Sequence, residues 1–502
     1  MRSRRRVAIT GLGVKAPGGS TAADLWSTLR RGRSVAAPIT TFDASSLPVT
    51  FACEVGGFTA SDYVSVKEAR RLDRAVQLAI GAGLDAVADA GGLETSPDRC
   101  GVVVGTGLGG VHTLIRQLRT CFFDSCERMS PLGIPMLMPN APAANLAMLL
   151  GWTGPNMAVT TACAAGAHAI GEAGRLIREG AADVMLTGGT EACITAFAIG
   201  SFWRMGVLSE RNDAPAEACR PFDRARDGFV LGEGAGFVVL EEWQRARDRG
   251  AVIHAELVGY GRNCDASHVS SPSPGGVGAA ACMELALADG ELEPSDVIHV
   301  NAHGTGTQLN DEREAEALVK VFGSSSPPVT APKGTIGHLL GGGGAVEAIA
   351  TLLSVEHREA PPSANFVEAG PDMTLDVVAG TPRPLADGVV LSNSFGFGGH
   401  NASLVFGPAR PDQAPQPVPA DLDGESLSVP ERLVVSPVTG RFQLDGRTLS
   451  DAGPEAEVRV GELLGRVGEC PVRSRFAGRL MGVLALPGER VMAGQPIAWI
   501  RT

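Results

Sequence analysis

Short apolar runs alternate with longer Ala- and Gly-rich stretches over roughly the first 408 residues. The apolar runs at residues 101–104 and 183–186 are typical of buried strands, and the stretch 164–180 between them has helical character. Such alternation predicts an α/β domain with buried strands. The first turns of the helix at 164–180 carry Ala or Gly on nearly every face, which indicates a helix enclosed between sheets.

The pattern changes after residue 408. Prolines crowd residues 408–432, which predicts an extended, semi-rigid linker. Residues 433–502 are rich in Val, Leu and Gly turns with little helical periodicity, as expected of a small all-β domain. The predicted domains are therefore 1–407 and 433–502, joined by this linker.

The all-β domain contains an internal repeat. Residues 436–441 resemble residues 474–479. Downstream, apolar and glycine positions recur with one spacing, as Val458, Gly461, Leu464 and Val467 and then as Val491, Gly494, Ile497 and Ile500. Two copies of a strand–turn–strand unit predict a pseudo-twofold flattened barrel. Chance similarity between short Val/Gly segments is the alternative.

Charge and composition exclude several classes of function. The net charge of −12 argues against nucleic acid as a partner, but an acidic carrier protein could still dock on a local arginine patch. No apolar stretch reaches transmembrane length, and the segment after the basic residues 1–6 is too short and Gly-broken for a secretory signal. We therefore expect a cytoplasmic protein without membrane contact. Ten cysteines without Cys-x-x-Cys spacing argue against a disulfide framework and against a zinc site, and we predict no metal.

The candidate chemistry begins at Cys163, where a strand-like segment meets a helix. A thiol at a helix N-terminus faces the positive end of the helix dipole and free backbone N–H groups. Both favour the thiolate, and the N–H groups can stabilise an oxyanion on a bound thioester. A cysteine among alanines is also common as a small buried hydrophobic residue, so Cys163 alone decides nothing.

Three further segments point to the same chemistry. His303 ends a predicted strand before a Gly/Thr loop, and His338 precedes a run of glycines and a helix. Residues 393–399 place Phe395 and Phe397 on a Gly-rich loop. Each segment alone is compatible with a structural role, but the four in this order form a specific pattern.

With these segments, residues 7–406 resemble the β-ketoacyl-acyl carrier protein synthases of the thiolase-fold superfamily, especially the synthase II group and its type II polyketide relatives. Residues 220–236 resemble the central segment of that family. The resemblance implies a thiolase fold, a duplicated βαβαβαββ unit in five αβαβα layers, ahead of the small all-β barrel-sandwich domain. It also implies decarboxylative condensation of an acyl thioester with malonyl-acyl carrier protein in polyketide or fatty-acid-like chain elongation.

The resemblance assigns Cys163 as the nucleophile that takes the acyl chain. His303 and His338 bind the malonyl carbonyl and stabilise the enolate that forms as CO2 leaves. Two neutral imidazoles suit this task because they donate hydrogen bonds to the developing charge. The backbone N–H groups of Cys163 and Phe397 would hold the tetrahedral oxyanion.

Four more residues match family positions around this centre. Lys333 matches a lysine that holds charge near the histidines. Glu314 matches a buried acidic residue, although its charged neighbours also fit a solvated helix face. Thr305 and Thr307 match residues that hydrogen-bond the phosphopantetheine arm, which the carrier protein supplies. No covalently bound cofactor is implied.

The Gly-rich loop matches the gate of the acyl pocket. Phe397 is the expected gate, Phe395 is a packing residue beside it, and Gly396 supplies backbone freedom. His400 departs from the synthase II pattern, which has Thr at this position. Its imidazole is either inert or alters the motion of the gate, and the sequence does not choose between these.

The resemblance also implies an acyl pocket whose length depends on side chains from two subunits. Leu108 and Phe202 match pocket-lining residues, with ordinary core as the alternative. Gly133 stands where bulkier side chains are common and suggests extra room for the acyl chain. We expect a dimer, because the segment before Cys163 forms the twofold interface in this family, with either a second copy or a chain-length factor, a related subunit without the nucleophile.

Two other functions stay open at this point. One is an acyltransferase that uses Cys163 without condensing two units. The other is a scaffold subunit whose catalytic residues are vestigial, against which the intact His303 and His338 argue.

The C-terminal repeat resembles the biotinyl/lipoyl carrier domains, which present a modified lysine between their two halves. The chain has only four lysines, and none follows Lys333, so attachment of biotin or lipoate to this domain is excluded. Cys470 lies on the shortened hairpin, where nothing would activate its thiol. We expect a role in contact with a carrier protein, a partner subunit or a neighbouring enzyme. A fused remnant that only adds stability is the alternative.

Overall fold

The computed structural model describes residues 5–323, 326–370, 373–410, 431–444 and 456–501. The chain forms two compact units, Met1–Pro411 and Asp412–Thr502. Most of the predicted linker, residues 411–430, lies outside the described residues.

The first unit contains helices and strands in alternation. Its strands are β1 (Val7–Lys15), β2 (Ala37–Pro38), β3 (Phe51–Ala52), β4 (Cys100–Gly105), β5 (Asn156–Val159), β6 (Val184–Glu191), β7 (Gly234–Glu242), β8 (Ala255–Cys264), β9 (Val297–Asn301), β10 (Val329–Thr330), β11 (Glu359–Ala360), β12 (Arg383–Pro384), β13 (Val389–Gly396) and β14 (His400–Gly407). Its α-helices are α1 (Ala22–Arg31), α2 (Val66–Ala69), α3 (Arg74–Ala90), α4 (Val111–Arg119), α5 (Gly133–Leu137), α6 (Ala141–Leu150), α7 (Ala165–Arg178), α8 (Ala196–Arg204), α9 (Trp243–Asp248), α10 (Val277–Asp289), α11 (Gln308–Phe322), α12 (Lys333–Ile336) and α13 (Gly343–His357).

One large sheet runs through the unit in the order β10-β9-β13-β14-β8-β1-β7-β6-β4-β5. Its midpoint is the β1–β8 contact, where only Ala8 with Glu256 and Ile9 with Ala255 are paired. On one side, β5, β4 and β6 are parallel, and β7 and β1 follow antiparallel. On the other side, β10, β9 and β13 are parallel, and β14 and β8 follow antiparallel. The two halves therefore have the same topology, as a duplicated unit requires.

Helices fill three layers around these two half-sheets. The central helices α7 and α13 contact each other and strands of both halves. Helices α3 and α6 pack on the first half, and α10 packs on the second half and against α11. The arrangement is the five-layer αβαβα thiolase fold that the sequence predicted.

Small residues let the two central helices approach closely. Helix α7 has the sequence AGAHAIGEAGRLIR and buries ten of its fourteen residues. A Cβ atom on Gly166 would lie 2.8 Å from the backbone nitrogen of Ala345 in α13, so only glycine allows this contact. The predicted helix at 164–180 is thus enclosed between sheets, as expected from its composition.

The second unit consists of two four-stranded sheets. Its strands are β15 (Glu431–Val435), β16 (Gly440–Leu444), β17 (Glu457–Val458), β18 (Leu463–Val467), β19 (Cys470–Arg473), β20 (Gly478–Val483), β21 (Arg490–Val491) and β22 (Pro496–Arg501). The sheets have the orders β15-β22-β20-β17 and β19-β18-β16-β21. The repeat makes β15, β16, β17 and β18 equivalent to β19, β20, β21 and β22. Exchanging each strand for its equivalent converts one sheet order into the other.

Equivalent contacts support this duplication. The hydroxyl of Ser436 donates to the carbonyl of Val438 at 2.6 Å, and that of Ser474 donates to the carbonyl of Phe476 at 2.6 Å. The apolar side chains between the sheets, Phe442 among them, form one buried core. The sheet topology thus fits the predicted internal repeat, whereas the likeness to carrier domains stays a prediction.

Two further observations bear on the sequence-based expectations. No helix in the described part of the chain is long and apolar enough to cross a lipid bilayer. Cys121 and Cys126 form a local disulfide after α4, a pair that the scattered cysteine spacing did not predict.

Candidate active site

The two central helices bring the candidate nucleophile and one histidine together. Cys163 lies in a 3-10 turn directly before α7, and His338 lies in the segment that leads into α13. The Sγ atom of Cys163 and the Nε2 atom of His338 are 3.2 Å apart. Ala162 and Leu340, close to these residues in sequence, have left-handed backbones with φ of 49° and 47°, a strain typical of functional sites.

The second histidine completes a cluster around the sulfur. His303 follows β9, and its ring centroid lies 5.6 Å from that of His338 with the planes at 84°. Both histidines are buried, with exposed fractions of 2%. Burial lowers the pKa of His303 and of His338 well below the usual value, and the Lys333 charge adds to this effect. Both rings are therefore neutral near pH 7.

Hydrogen bonds fix which ring nitrogen carries the proton. Nδ1 of His338 lies 3.3 Å from the backbone N–H of Leu340, and Nδ1 of His303 lies 3.2 Å from Nζ of Lys333. A backbone N–H and an ammonium group only donate, so each Nδ1 accepts and each Nε2 carries the hydrogen. Both neutral rings therefore present Nε2–H as a donor.

A buried ion pair holds Lys333 in place. Its Nζ atom lies 2.6 Å from Oε1 of Glu347 and 2.5 Å from the carbonyl of His303. Lys333 and Glu347 are each 1% exposed. The sequence analysis missed Glu347, although a lone carboxylate in the apolar stretch GGAVEAIATLL of α13 is a signal for a buried partner.

Glu314 supports the loop that carries His303. Its two carboxylate oxygens accept the backbone N–H groups of His303 and Gly304, each at 2.8 Å. The side chain is 1% exposed, so it does not lie on a solvated helix face. Burial raises its pKa to about 7, against the effect of these hydrogen bonds.

The groups around the Cys163 thiol have opposite effects on its pKa. Burial raises the pKa of Cys163 to about 11, while the Lys333 charge and the backbone N–H groups of Phe397 and Cys163 act to lower it. The N–H groups at the helix start thus act in the predicted direction, towards the thiolate, while desolvation acts against them. The same N–H groups converge on the sulfur, an arrangement that can stabilise an oxyanion.

The Gly-rich loop closes one side of this site. Phe395 packs edge-on against His303, with centroids 5.8 Å apart. A Cβ atom on Gly396 would lie 2.6 Å from the carbonyl oxygen of Thr161 and 3.2 Å from the nitrogen of Cys163. Glycine at this position therefore lets the loop rest directly on the nucleophile segment.

A cavity of about 560 Å³ opens onto the cluster. The predicted residues that line it are Cys163, Phe202, His303, Thr305, Thr307, Glu314, His338, Phe395, Gly396 and Phe397. The hydroxyls of Thr305 and Thr307 lie 2.9 Å apart. Ser270, Asn310 and Arg313 also line this cavity, which provides polar groups for a phosphorylated arm.

Two predicted pocket residues lie apart from this cavity. Leu108 is 47% exposed, and Gly133 is buried against Gln117. Neither lines the cavity. A pocket role for either residue therefore stays a prediction that depends on a second subunit.

A buried carboxylate that the sequence analysis missed organises the loop of Leu108. Glu191, fully buried at the end of β6, accepts the backbone N–H groups of Gly107 at 2.6 Å and Gly341 at 3.2 Å. It also accepts the hydroxyl of Thr106 at 3.1 Å. Burial raises its pKa to about 7. In the sequence, Glu191 is the single charged residue at the end of an otherwise uncharged strand, a pattern that indicates a buried carboxylate.

His400 lies beside a second buried imidazole. Its ring is edge-on to that of His168, with centroids 6.5 Å apart. Nδ1 of His168 lies 2.9 Å from the Thr161 hydroxyl and 3.1 Å from the carbonyl of Ala164. His400 therefore lies near the backbone around Cys163.

Comparisons with known proteins agree with this geometry. Residues 4–246 match the family described as Beta-ketoacyl synthase, N-terminal domain, and residues 254–367 match Beta-ketoacyl synthase, C-terminal domain. The chain is 44% identical over 407 residues to 3-oxoacyl-(acyl-carrier-protein) synthase 2 of Synechocystis sp., covering 80% of this chain and 98% of that protein. The same enzyme of Staphylococcus aureus (strain COL) is 42% identical over 410 residues, or 81% of this chain and 99% of the relative. Among solved structures, the ishigamide ketosynthase/chain length factor matches with a TM-score of 0.76 at 37% identity, covering 81% of this chain and 100% of that chain.

Proposed function

Because the chain belongs to the β-ketoacyl synthase family, we propose that Cys163, His303 and His338 carry its condensing chemistry. The protein is a β-ketoacyl-acyl carrier protein synthase, an acyltransferase that extends an acyl chain in fatty-acid or polyketide biosynthesis. The observation that carries the assignment of residues is the 3.2 Å contact between Cys163 Sγ and His338 Nε2, next to a second neutral imidazole.

The first half-reaction loads the acyl chain. The Cys163 thiol attacks the thioester carbonyl of the acyl carrier protein substrate, and the N–H groups of Cys163 and Phe397 hold the oxyanion. The carbon–sulfur bond to the phosphopantetheine arm breaks, and the departing thiol takes up the proton that Cys163 gives up. The product is an acyl-Cys163 thioester.

The second half-reaction forms the carbon–carbon bond. The malonyl thioester carbonyl accepts Nε2–H from His303 and from His338, and loss of CO2 leaves an enolate held by these two donors. The enolate carbon attacks the acyl-Cys163 carbonyl, and the tetrahedral intermediate expels the sulfur. Cys163 then takes up one proton, and the β-ketoacyl chain remains on the carrier protein.

Neutral histidines suit this step better than charged ones. An imidazolium would protonate the enolate carbon and waste the malonyl unit, whereas a neutral ring only donates a hydrogen bond. The lowered pKa of both rings and the fixed Nε2–H tautomers support this role. Lys333 and Glu314 act as positioning residues for His303. Lys333 contacts Nδ1 of His303, and the Glu314 carboxylate accepts the backbone N–H of His303.

The phosphopantetheine arm of the carrier protein would reach Cys163 through the cavity. The paired hydroxyls of Thr305 and Thr307 lie along its wall and suit hydrogen bonds to the amides of the arm. Asn310 and Arg313, also on the wall, suit the phosphate.

A second subunit would cover the apolar surface around residues 108–157. Phe122, Phe123, Ile134 and Met148 are 76%, 84%, 67% and 71% exposed, and β5 is a terminal strand of the large sheet. Such an apolar patch beside an open sheet edge is typical of a subunit interface. The partner is a second copy or a chain-length-factor-like subunit, and it would enclose Leu108 and Gly133 in the acyl pocket.

Mass spectrometry of a reconstituted reaction tests the function. The pure protein is incubated with acyl- and malonyl-carrier proteins, and the masses of the protein and of the products are measured. We expect an acyl adduct on the wild type and a β-ketoacyl product, both absent for Cys163→Ala. A Cys163→Gln variant separates the half-reactions, because it should still decarboxylate the malonyl group. An acyl adduct without malonyl decarboxylation would instead identify a non-condensing acyltransferase, and the absence of both would identify a scaffold.

A further inference from the structure

One sheet of the second unit has an outer surface dominated by arginine. In the β19-β18-β16-β21 sheet, Arg441 is paired across strands with Arg490, Gln443 with Arg466, and Leu463 with Arg473. We call Arg441, Arg466, Arg473 and Arg490 the arginine face.

The strand pattern directs these side chains to solvent. All four arginines are exposed, and the residue next to each of them in its strand is buried: Phe442, Val467, Val472 and Val491. This is the alternation expected when one side of a sheet packs in the core and the other faces water.

The charge of the arginine face is not neutralised within the described residues. Arg441, Arg466 and Arg473 donate to the backbone carbonyls of Gly488, Glu469 and Gly461 at 2.9, 3.4 and 2.9 Å. Among the residues that the structure describes, none of the four has a carboxylate within ion-pair distance. The first unit differs, because many of its arginines are paired with Asp or Glu, as Arg99 is with Asp183.

The internal repeat provides a comparison within the same unit. The positions equivalent to Arg466, Arg473 and Arg490 in the other sheet are Trp499, Val435 and Glu457. Only Arg441 has an arginine counterpart, Arg479. The fold therefore does not require arginine at the positions of Arg466, Arg473 and Arg490. The other sheet has arginines of its own, Arg479 and Arg501 among them, but they lie opposite or beside glutamates, Glu457 and Glu431.

Charge distribution along the chain indicates what this face would bind. Residues 431–502 contain ten arginines and eight acidic residues, whereas the whole chain has a net charge of −12. A cationic surface on a small domain fits a partner with clustered carboxylates, which bind guanidinium groups through paired hydrogen bonds. Such a surface also accelerates encounter at low salt.

We propose that the arginine face docks an acidic surface of the acyl carrier protein that brings thioesters to Cys163. This inference rests on the proposed function, since that function requires a carrier protein to visit the enzyme repeatedly. Because the module is covalently joined to the synthase, a carrier protein held there stays at a raised local concentration near the synthase. The module thus recruits substrate in place of carrying a cofactor.

A pair of charge reversals in the full-length protein tests the proposal. Arg466→Glu with Arg473→Glu changes two residues of the arginine face. Arg459→Glu with Arg475→Glu is the matched control, because it makes the same charge change at exposed positions outside the strands. The dissociation constant of a carrier protein that is a substrate of the wild type is measured at low and high salt for all three proteins, with thermal unfolding as a check of the fold.

The proposal expects about tenfold weaker binding of the carrier protein at low salt for the face variant, from loss of electrostatic attraction. The salt dependence should fall in parallel, and the control should stay near the wild type. Turnover of small N-acetylcysteamine thioesters should be equal in all three, because these substrates do not need docking. Equal affinity of the face variant and the wild type would overturn the proposal. Binding of duplex DNA and of anionic vesicles is measured for the same three proteins. If the face variant loses binding to either of these while it binds the carrier protein as the wild type does, the proposal is also overturned. Failure of the wild type to condense the small thioesters would instead overturn the proposed function.

Discussion

Nζ of Lys333 lies 3.2 Å from Nδ1 of His303, and this contact determines what the other side of the imidazole can do. An ammonium donor at Nδ1 keeps the hydrogen on Nε2. The same lysine is held by Glu347 at 2.6 Å. In the proposed mechanism, this buried ion pair acts on the enolate step through the tautomer of His303.

We predict that Lys333→Met lowers the condensation rate about 100-fold, as expected for loss of one oriented donor to a developing oxyanion. Loading of Cys163 should fall much less, because its oxyanion site uses backbone N–H groups. Intact-protein mass spectrometry gives the loading rate, and product analysis gives the condensation rate.

The variant also leaves Glu347 buried without its partner, which should cost about 3 kcal/mol in the free energy of unfolding. Adding Glu347→Gln removes that buried charge. The double variant should therefore regain thermal stability without regaining condensation. Recovery of condensation would mean that Lys333 acts only by stabilising the fold.

A second prediction concerns the contact of the Gly-rich loop with the segment that carries Cys163. Gly396→Ala places a methyl group 2.6 Å from the carbonyl oxygen of Thr161, so the loop must move away and carry the N–H of Phe397 with it. We expect the rate of acyl loading to fall about 100-fold, since this N–H is one of the two oxyanion donors.

Gly200→Ala is the control, because Gly200 lies in α8 with nothing within 4 Å of the added Cβ atom. It should load at the wild-type rate and be slightly stabilised, as Ala favours helix more than Gly does. Normal loading by Gly396→Ala would show that the loop is not held against Cys163 during acyl transfer.

The sequence predicted the parts of this site that local motifs mark. Cys163 and His338 each precede a small-residue helix, and the repeated topology brings those two helices side by side, so two distant segments meet in the way the family pattern implied. Glu347 and Glu191 carry no such motif. Their importance comes from burial and from partners distant in sequence, although a lone carboxylate in an apolar segment was a usable signal.

The desolvation of Cys163 is the property that the sequence pattern did not indicate. The helix start and its N–H groups are visible in the pattern, but the degree of desolvation depends on how α7, α13 and the Gly-rich loop pack around the sulfur. That packing emerges only in the fold, where burial dominates the balance.

A third prediction addresses the subunit interface. Phe122→Ser with Phe123→Ser removes two of the most exposed apolar side chains, 76% and 84% exposed, and should shift the protein from dimer toward monomer. Val252→Ser with Val367→Ser changes equally exposed apolar residues, 71% and 79% exposed, away from β5 and should leave the dimer intact. Light scattering coupled to gel filtration measures the mass of each variant. If both pairs behave alike, the apolar surface around residues 108–157 is not the interface.

The last prediction concerns the reactivity of Cys163 in the enzyme without substrate. Burial raises its pKa to about 11, so the thiolate fraction grows tenfold with each pH unit below that value. We therefore expect alkylation of Cys163 by iodoacetamide to accelerate about tenfold per pH unit from pH 7 to pH 9. Peptide mass spectrometry follows Cys163 and the exposed Cys264 in the same digest, and Cys264 reports on the reagent. A rate at Cys163 that levels off by pH 8 would mean that Lys333 and the backbone N–H groups outweigh desolvation, and that the thiolate is already formed before the acyl carrier arrives.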